Sequence, residues 1–225
     1  MKTVEDKKWQ GYARESYLPK TLDVFRKKLE NLGMDLTGKS ILDVGCGAGQ
    51  WLRLCSEYQP ARLIGSDFSS VVLQTASERG ALEKGISLIH GDAMSIPMGS
   101  NQFDLVICSL VLPFVPSDQT VIAELARVCK PGGRMLIGFH GMGYYLYKIF
   151  SLGHLKYLVV PPVSWLSFLT GKKLFWSTYQ TLPRLKRYLQ SVGCVVVNCD
   201  PDWSYWGFPF IVYVTVQKQL IKRNA

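Results

Sequence analysis

No aspartate or glutamate lies between Leu125 and Cys199, a stretch of 75 residues in a chain of 225. Ten cations do: Arg127, Lys130, Arg134, Lys148, Lys156, Lys172, Lys173, Arg184, Lys186 and Arg187. The other 150 residues hold 16 basic and 17 acidic side chains, so the net charge of +9 comes from one third of the chain. A one-signed block is often no more than a solvated face. It also suits an anionic partner: an acidic substrate, a phospholipid surface or nucleic acid.

Other absences narrow the class. Residues 1–10 are polar and charged, with no apolar signal core. The longest charge-free run of the greasy region, Tyr157 to Gly171, has 15 residues and contains Pro161 and Pro162. That is too short and too broken for a spanning helix, and it leaves peripheral membrane contact open. The six cysteines form no CxxC pair and no zinc-type spacing. They read as reduced core residues of a cytoplasmic protein. No repeat or low-complexity tract occurs, and 48% hydrophobic with 12% aromatic residues excludes a disordered or fibrous chain. The length suits one α/β domain with a small appended cap.

Apolar spacing divides the chain. Leu18, Leu22, Phe25, Leu29 and Leu32 predict an amphipathic helix within 9–32, closed by Gly33. Strand-like runs follow at 40–44, 62–65, 86–90, 103–110 and 134–140. Helical runs lie between them at 50–58, 69–79 and 119–129, the second capped by Ser69 or Ser70 and the third stopped by Pro131-Gly132-Gly133. This βα rhythm with nearly continuous apolar strands predicts a parallel sheet covered on both faces. After His140 the rhythm breaks into an apolar, aromatic insertion. It resumes with a helix at 181–190 and a strand pair at 194–199 and 210–216. The division is therefore 1–37, a helical segment; 38–140, the core; 141–177, the cap; and 178–225, a last helix and hairpin completing the core.

The chemistry concentrates in Ile41-Leu42-Asp43-Val44-Gly45-Cys46-Gly47-Ala48-Gly49. A strand runs into three glycines at alternate positions and then into a helix, so backbone can lie against a ligand near free N–H groups. Dinucleotide folds use GxGxxG for a pyrophosphate. Here an acid stands two residues before the first glycine, which suits a ligand carrying an ammonium group. Asp67 ends the second strand, placed for ribose hydroxyls. Gly91-Asp92-Ala93 follows the third strand, where an acid can meet an exocyclic amino group. Phe103-Asp104-Leu105-Val106-Ile107-Cys108-Ser109 ends at the same crevice.

Together with Leu125-Ala126-Arg127-Val128-Cys129-Lys130-Pro131-Gly132-Gly133-Arg134, these elements resemble the class I S-adenosylmethionine-dependent methyltransferases. The match covers about residues 38–140 and lies nearest the methyltransferase type 11 group, which includes the ubiquinone and menaquinone methyltransferases. A dehydrogenase-type nucleotide fold is the competing reading. The resemblance implies a Rossmann-like α/β fold: a seven-stranded, mostly parallel sheet with helices on both faces, an antiparallel last strand and the cap after the fifth strand. It implies S-adenosyl-L-methionine as cofactor and S-adenosyl-L-homocysteine as product. Gly45, Cys46, Gly47 and Gly49 would pass under the methionine part, with Asp43 orienting the turn and the amino group. Asp67 would hold the ribose, Phe68 and Ala93 would flank the adenine, and Asp92 would meet its amino group. Ser109 and Leu110 would lie near the sulfonium, and Asp104 would be structural.

The run Ser109-Leu110-Val111-Leu112-Pro113-Phe114 lacks the motif of amino-adenine methyltransferases, and no acid cluster indicates a metal. Residues 141–216 hold 17 aromatics, 22% against 12% overall. Such a cap favours an apolar, aromatic or isoprenoid-like small-molecule acceptor, anionic or membrane-held, over nucleic acid. Gly141 and Gly143 would let a lid move. Methyl transfer to oxygen or carbon gains from a general base, for which His140 is the candidate against a purely structural role. Tyr12, Tyr17, Tyr144 and Tyr145 are candidates for orienting the acceptor, ahead of His90 and His154. The alternatives are an RNA or protein methyltransferase and a non-catalytic cofactor-binding protein. Oligomeric state is not legible.

Overall fold

A computed structural model describes residues 19–80, 85–153 and 181–220, with the single positions 155, 158, 162, 166 and 169. Tyr12, Tyr17, His154 and most of the cap lie outside the described residues.

Among the described residues the first element is α1 (Pro19–Glu30), then β1 (Ser40–Val44), α2 (Gln50–Ser56), β2 (Arg62–Asp67), α3 (Ser70–Glu78) and β3 (Ser87–His90). Next come β4 (Phe103–Ser109), α4 (Asp118–Val128), β5 (Cys129–His140), α5 (Met142–Phe150) and α6 (Leu182–Ser191). It closes with β6 (Cys194–Pro201), a small hairpin of β7 (Ser204–Tyr205) and β8 (Phe208–Pro209), and β9 (Ile211–Lys218). Seven strands form one sheet in the order β3-β2-β1-β4-β5-β9-β6. The neighbours from β3 through β5 pair in parallel, while β9 runs antiparallel to both β5 and β6.

Both faces are buried because strand side chains alternate sides. Leu42, Val106 and Ile137 pack with Val121 and Leu125 of α4 and Leu185 and Leu189 of α6. Their neighbours Ile41, Leu105 and Leu136 pack on the opposite face with Phe25, Leu29, Trp51 and Leu52. The first helix is thus part of a layer: Phe25 stacks on Trp51 at 4.2 Å, and Tyr213 of β9 meets both rings edge-on.

Local details depart from sequence expectation. Pro131-Gly132-Gly133 is no separate stop, because α4 ends at Val128 and β5 starts at Cys129. The pairing of β4 with β5 jumps from Phe103–Cys129 to Leu105–Arg134, so the extra residues bulge, with Gly132 at φ 78°. Ser69 stands at the start of α3 but its hydroxyl caps nothing, and its buried oxygen has no hydrogen-bond partner. Thr181, by contrast, accepts a bond from the Arg184 N–H and caps α6.

Gly141 and Gly143 serve close packing. A side chain at Gly141 would fall 2.2 Å from the Pro209 carbonyl oxygen, and one at Gly143 would fall 2.2 Å from that of Phe208. The start of α5 therefore lies hard against the β7–β8 hairpin, and the lid motion expected from these glycines has no support in their surroundings.

Candidate active site

In an open parallel sheet the carboxyl ends of the strands share one edge, and a crevice opens where the strand order reverses. Here that point lies at β1, flanked by β2 and β4. The glycine turn after β1, Asp67, the turn after β3, Ser109 and His140 all follow strand ends, so the topology gathers them at that edge.

The turn is held by short backbone bonds. The N–H groups of Gly45 and Cys46 both donate to the Ser66 carbonyl, at 2.7 and 3.0 Å. Gly45, Gly47 and Gly49 have φ of 71°, 55° and 83°, a region that residues with a side chain adopt at a cost. Their surroundings differ. A Cβ at Gly45 would sit 2.2 Å from the Val111 side chain, whereas one at Gly47 would meet nothing within 4 Å. Gly45 is therefore small for packing, and Gly47 borders open space.

Asp43 lies beneath this turn, 1% exposed. Neither carboxylate oxygen has a hydrogen-bond partner. Burial, and then the charge of Asp67, push its carboxyl well above the usual range. A buried carboxylate left so is costly unless a proton or a cation meets it. Asp67 is anchored instead: Oδ2 accepts the Gly47 N–H and Oδ1 the Ser69 N–H, each at 2.9 Å. Burial raises its pKa as well, opposed by those backbone donors and by His90.

Phe68 is 66% exposed, with its ring 6.0 Å from that of His90. Asp92 Oδ1 accepts the Met94 N–H at 2.8 Å, and Ala93 is buried. Ser109 Oγ stands 3.4 Å from the Tyr213 hydroxyl. Leu110 has φ 60°, a strained conformation for leucine, stabilised by its N–H donating to Gly138 O at 2.8 Å. Val111 and Tyr213 were not legible as site residues: the fit of Val111 to Gly45 and the reach of Tyr213 from β9 exist only in the folded chain. Asp104 is structural, as expected. It accepts from the Ser40 N–H and the Lys130 ammonium at the opposite end of β4. Burial opposes ionisation there, but those donors outweigh it and hold the carboxyl below its usual range.

His140 sits among packed aromatic rings. Its ring stacks on Tyr144 at 3.8 Å and meets Tyr145 edge-on at 6.5 Å. Burial, with Lys148 adding to it, lowers the pKa to about 4. A general base works best with a pKa near the working pH. This imidazole is neutral but far less basic than that, and its surroundings are those of a packed ring. Tyr145 is itself buried, while Tyr144 is half-buried under Lys148 and beside Phe210.

The basic stretch is not acid-free in space. Arg127 binds Glu124, Lys130 binds Asp104, and Arg184 binds Asp118 in a pair whose side chains are almost fully buried. Three of its cations are thus occupied by carboxylates from outside it.

Residues 42–137 match the methyltransferase domain family. That stretch of the chain is thus a methyltransferase-type domain. The chain is 42% identical over 103 residues to the demethylmenaquinone methyltransferase of Shouchella clausii, covering 44% of each protein. It is 35% identical over 144 residues to that of Oceanobacillus iheyensis, covering 57% of this chain and 60% of the relative. The chain spans about half the length of the curated relatives it matches. The fold resembles magnesium protoporphyrin IX methyltransferase from Synechocystis PCC 6803 with bound S-adenosylhomocysteine (TM-score 0.65, 18% identity, 89% of this chain and 83% of that one). It also resembles an S-adenosylmethionine-dependent methyltransferase from Mesorhizobium loti (TM-score 0.64, 19% identity, 85% and 96%). S-adenosylmethionine is the cofactor of this domain class. The methyltransferase crevice here fits it, because an unpartnered buried carboxylate beneath an open glycine turn has the chemistry to meet its ammonium group.

Proposed function

We propose that the protein is an enzyme that transfers a methyl group from S-adenosylmethionine to an oxygen or carbon of an apolar, aromatic or isoprenoid-like small molecule. The observation that carries this reading is Asp43: its buried carboxylate is bare until a ligand cation meets it. The relatives named for demethylmenaquinone support an acceptor of the quinone class. Five of the six cysteines are buried and all are free, which supports a reducing, cytoplasmic setting. Among the described residues no helix is long and apolar enough to cross a membrane.

When bound, S-adenosylmethionine supplies a methyl group already activated on a sulfonium, and S-adenosylhomocysteine is the product. The residues do the rest by binding and alignment. Asp43 pairs with the ammonium group, and the turn from Gly45 through Cys46 and Gly47 to Gly49 runs along the methionine part. Asp67, held by two backbone bonds, has acceptor capacity left for the ribose hydroxyls. Phe68 gives the adenine a face, Asp92 accepts from its amino group, and the Ala93 backbone lies beside it. Ser109 and Leu110 border the reacting centre. Tyr12, Tyr17, Tyr144 and Tyr145 orient the acceptor, and His140 acts as a rigid wall that excludes water rather than as the base.

Calorimetric titration tests the reading. S-adenosylhomocysteine should bind and NAD should not. Binding of NAD without S-adenosylhomocysteine would overturn it. With the donor bound, radiolabelled methyl should appear in a demethylated quinone and not in RNA or protein.

A further inference from the structure

An apolar ridge stands outside the crevice. Phe150 at the end of α5 is 58% exposed, Trp206 at the tip of the β7–β8 hairpin 64%, and Leu155 67%. Leu152, Trp203 and Phe208 are also exposed. Contacts bind the helix end and the hairpin into one surface. The Phe150 and Trp206 rings lie 4.9 Å apart, Tyr205 stacks on Trp206 at 5.2 Å, and Ser151 Oγ and the Tyr205 hydroxyl are 2.8 Å apart. Beyond Leu155 the described positions Leu158, Leu166 and Leu169 are exposed too.

The hairpin tip is built against local preference. Trp206 has φ 53° and Gly207 φ 78°. Two positive φ values at the centre of a two-residue hairpin favour Asn, Asp or Gly, not a large aromatic. A tryptophan kept there is presented to the outside at a conformational cost.

We infer that this ridge docks on an anionic lipid bilayer. Tryptophan and tyrosine suit the boundary between hydrocarbon and headgroups, since their rings are apolar and their tips polar. The charge agrees. The exposed leucines lie inside the acid-free stretch of the sequence, with Lys148 before them, Lys156 among them, and Lys172 and Lys173 after. A chain segment with lysines and no acids suits a diffuse anionic surface, and on the hairpin side Asp202 beside Trp203 is tied up by the Trp203 N–H. The inference is independent of methyl transfer. It places the dock at α5, the helix that follows His140 at the crevice edge.

Vesicle flotation of the full chain tests it. Phosphatidylcholine vesicles containing phosphatidylglycerol should carry the protein upward, pure phosphatidylcholine much less, and raised salt should weaken the binding. Trp206→Asn suits the turn better than tryptophan, so circular dichroism should stay native while partition falls about ten-fold or more. Leu155→Glu should do the same. Three outcomes overturn the inference: no partition onto anionic vesicles, unchanged partition of both variants, or lipid-free self-association that Trp206→Asn abolishes. The last would assign the ridge to a second copy of the chain.

Discussion

His140→Phe offers the most direct check of how the crevice wall is built. His140 is buried, stacked on Tyr144, and held at a pKa of about 4 against an ordinary value of 6.5. In the unfolded chain the imidazole takes a proton near pH 6.5, but the folded chain refuses it until about pH 4. The stability from keeping it neutral is complete above pH 6.5 and is lost as pH falls toward 4. At about 1.4 kcal/mol per pH unit, the whole loss is about 3 kcal/mol, of which about 2 kcal/mol falls between pH 7.5 and 5. Phenylalanine retains the aromatic stack and cannot be protonated. Urea unfolding of both proteins across that range should give curves that diverge: the wild type loses about 2 kcal/mol relative to the variant. Other titrating groups are shared and cancel in the difference. Curves parallel to within about 0.5 kcal/mol would refute the buried neutral imidazole. A rising limb near neutral pH in turnover, present in the wild type and absent in the variant, would restore His140 as a base.

Two further substitutions probe the turn. Because the Asp43 carboxyl is raised, its contribution to apo stability is fully present below pH 3.8 and is lost as pH rises through the folded pKa. Asp43→Asn should therefore make the ligand-free protein about 1 to 3 kcal/mol more stable at neutral pH, yet weaken S-adenosylhomocysteine about ten-fold or more by calorimetry. Equal affinity would remove Asp43 from the ammonium site. Gly45→Ala should cost about 1 to 3 kcal/mol by clashing with Val111 and straining a left-handed residue. Adding Val111→Ala should recover the clash but leave roughly 1 kcal/mol of backbone strain, and simple additivity in denaturation would contradict the contact.

Much of the candidate site was readable because strand ends mark it. Asp43, Asp67 and Asp92 stand where apolar runs stop, and the left-handed glycines sit where spacing alone put a turn. What escaped reading depends on neighbours distant in sequence. The smallness of Gly45 is set by Val111, and the stiffness of Gly141 and Gly143 by carbonyls more than sixty residues away. No local pattern carries these facts, since each is a distance between elements.

The sequence by itself determined a mostly parallel sheet with two covered faces, a glycine turn resembling that of methyltransferases, and a 75-residue stretch lacking acids. Periodicity, glycine spacing and charge are local properties, and they survive in one dimension. Only the tertiary structure decided what the charge means. Folding brings Asp104 and Asp118 against Lys130 and Arg184, because elements remote in the chain pack side by side, while the turn of α4 brings Glu124 to Arg127. The acid-free stretch is thereby partly neutralised by carboxylates from outside it.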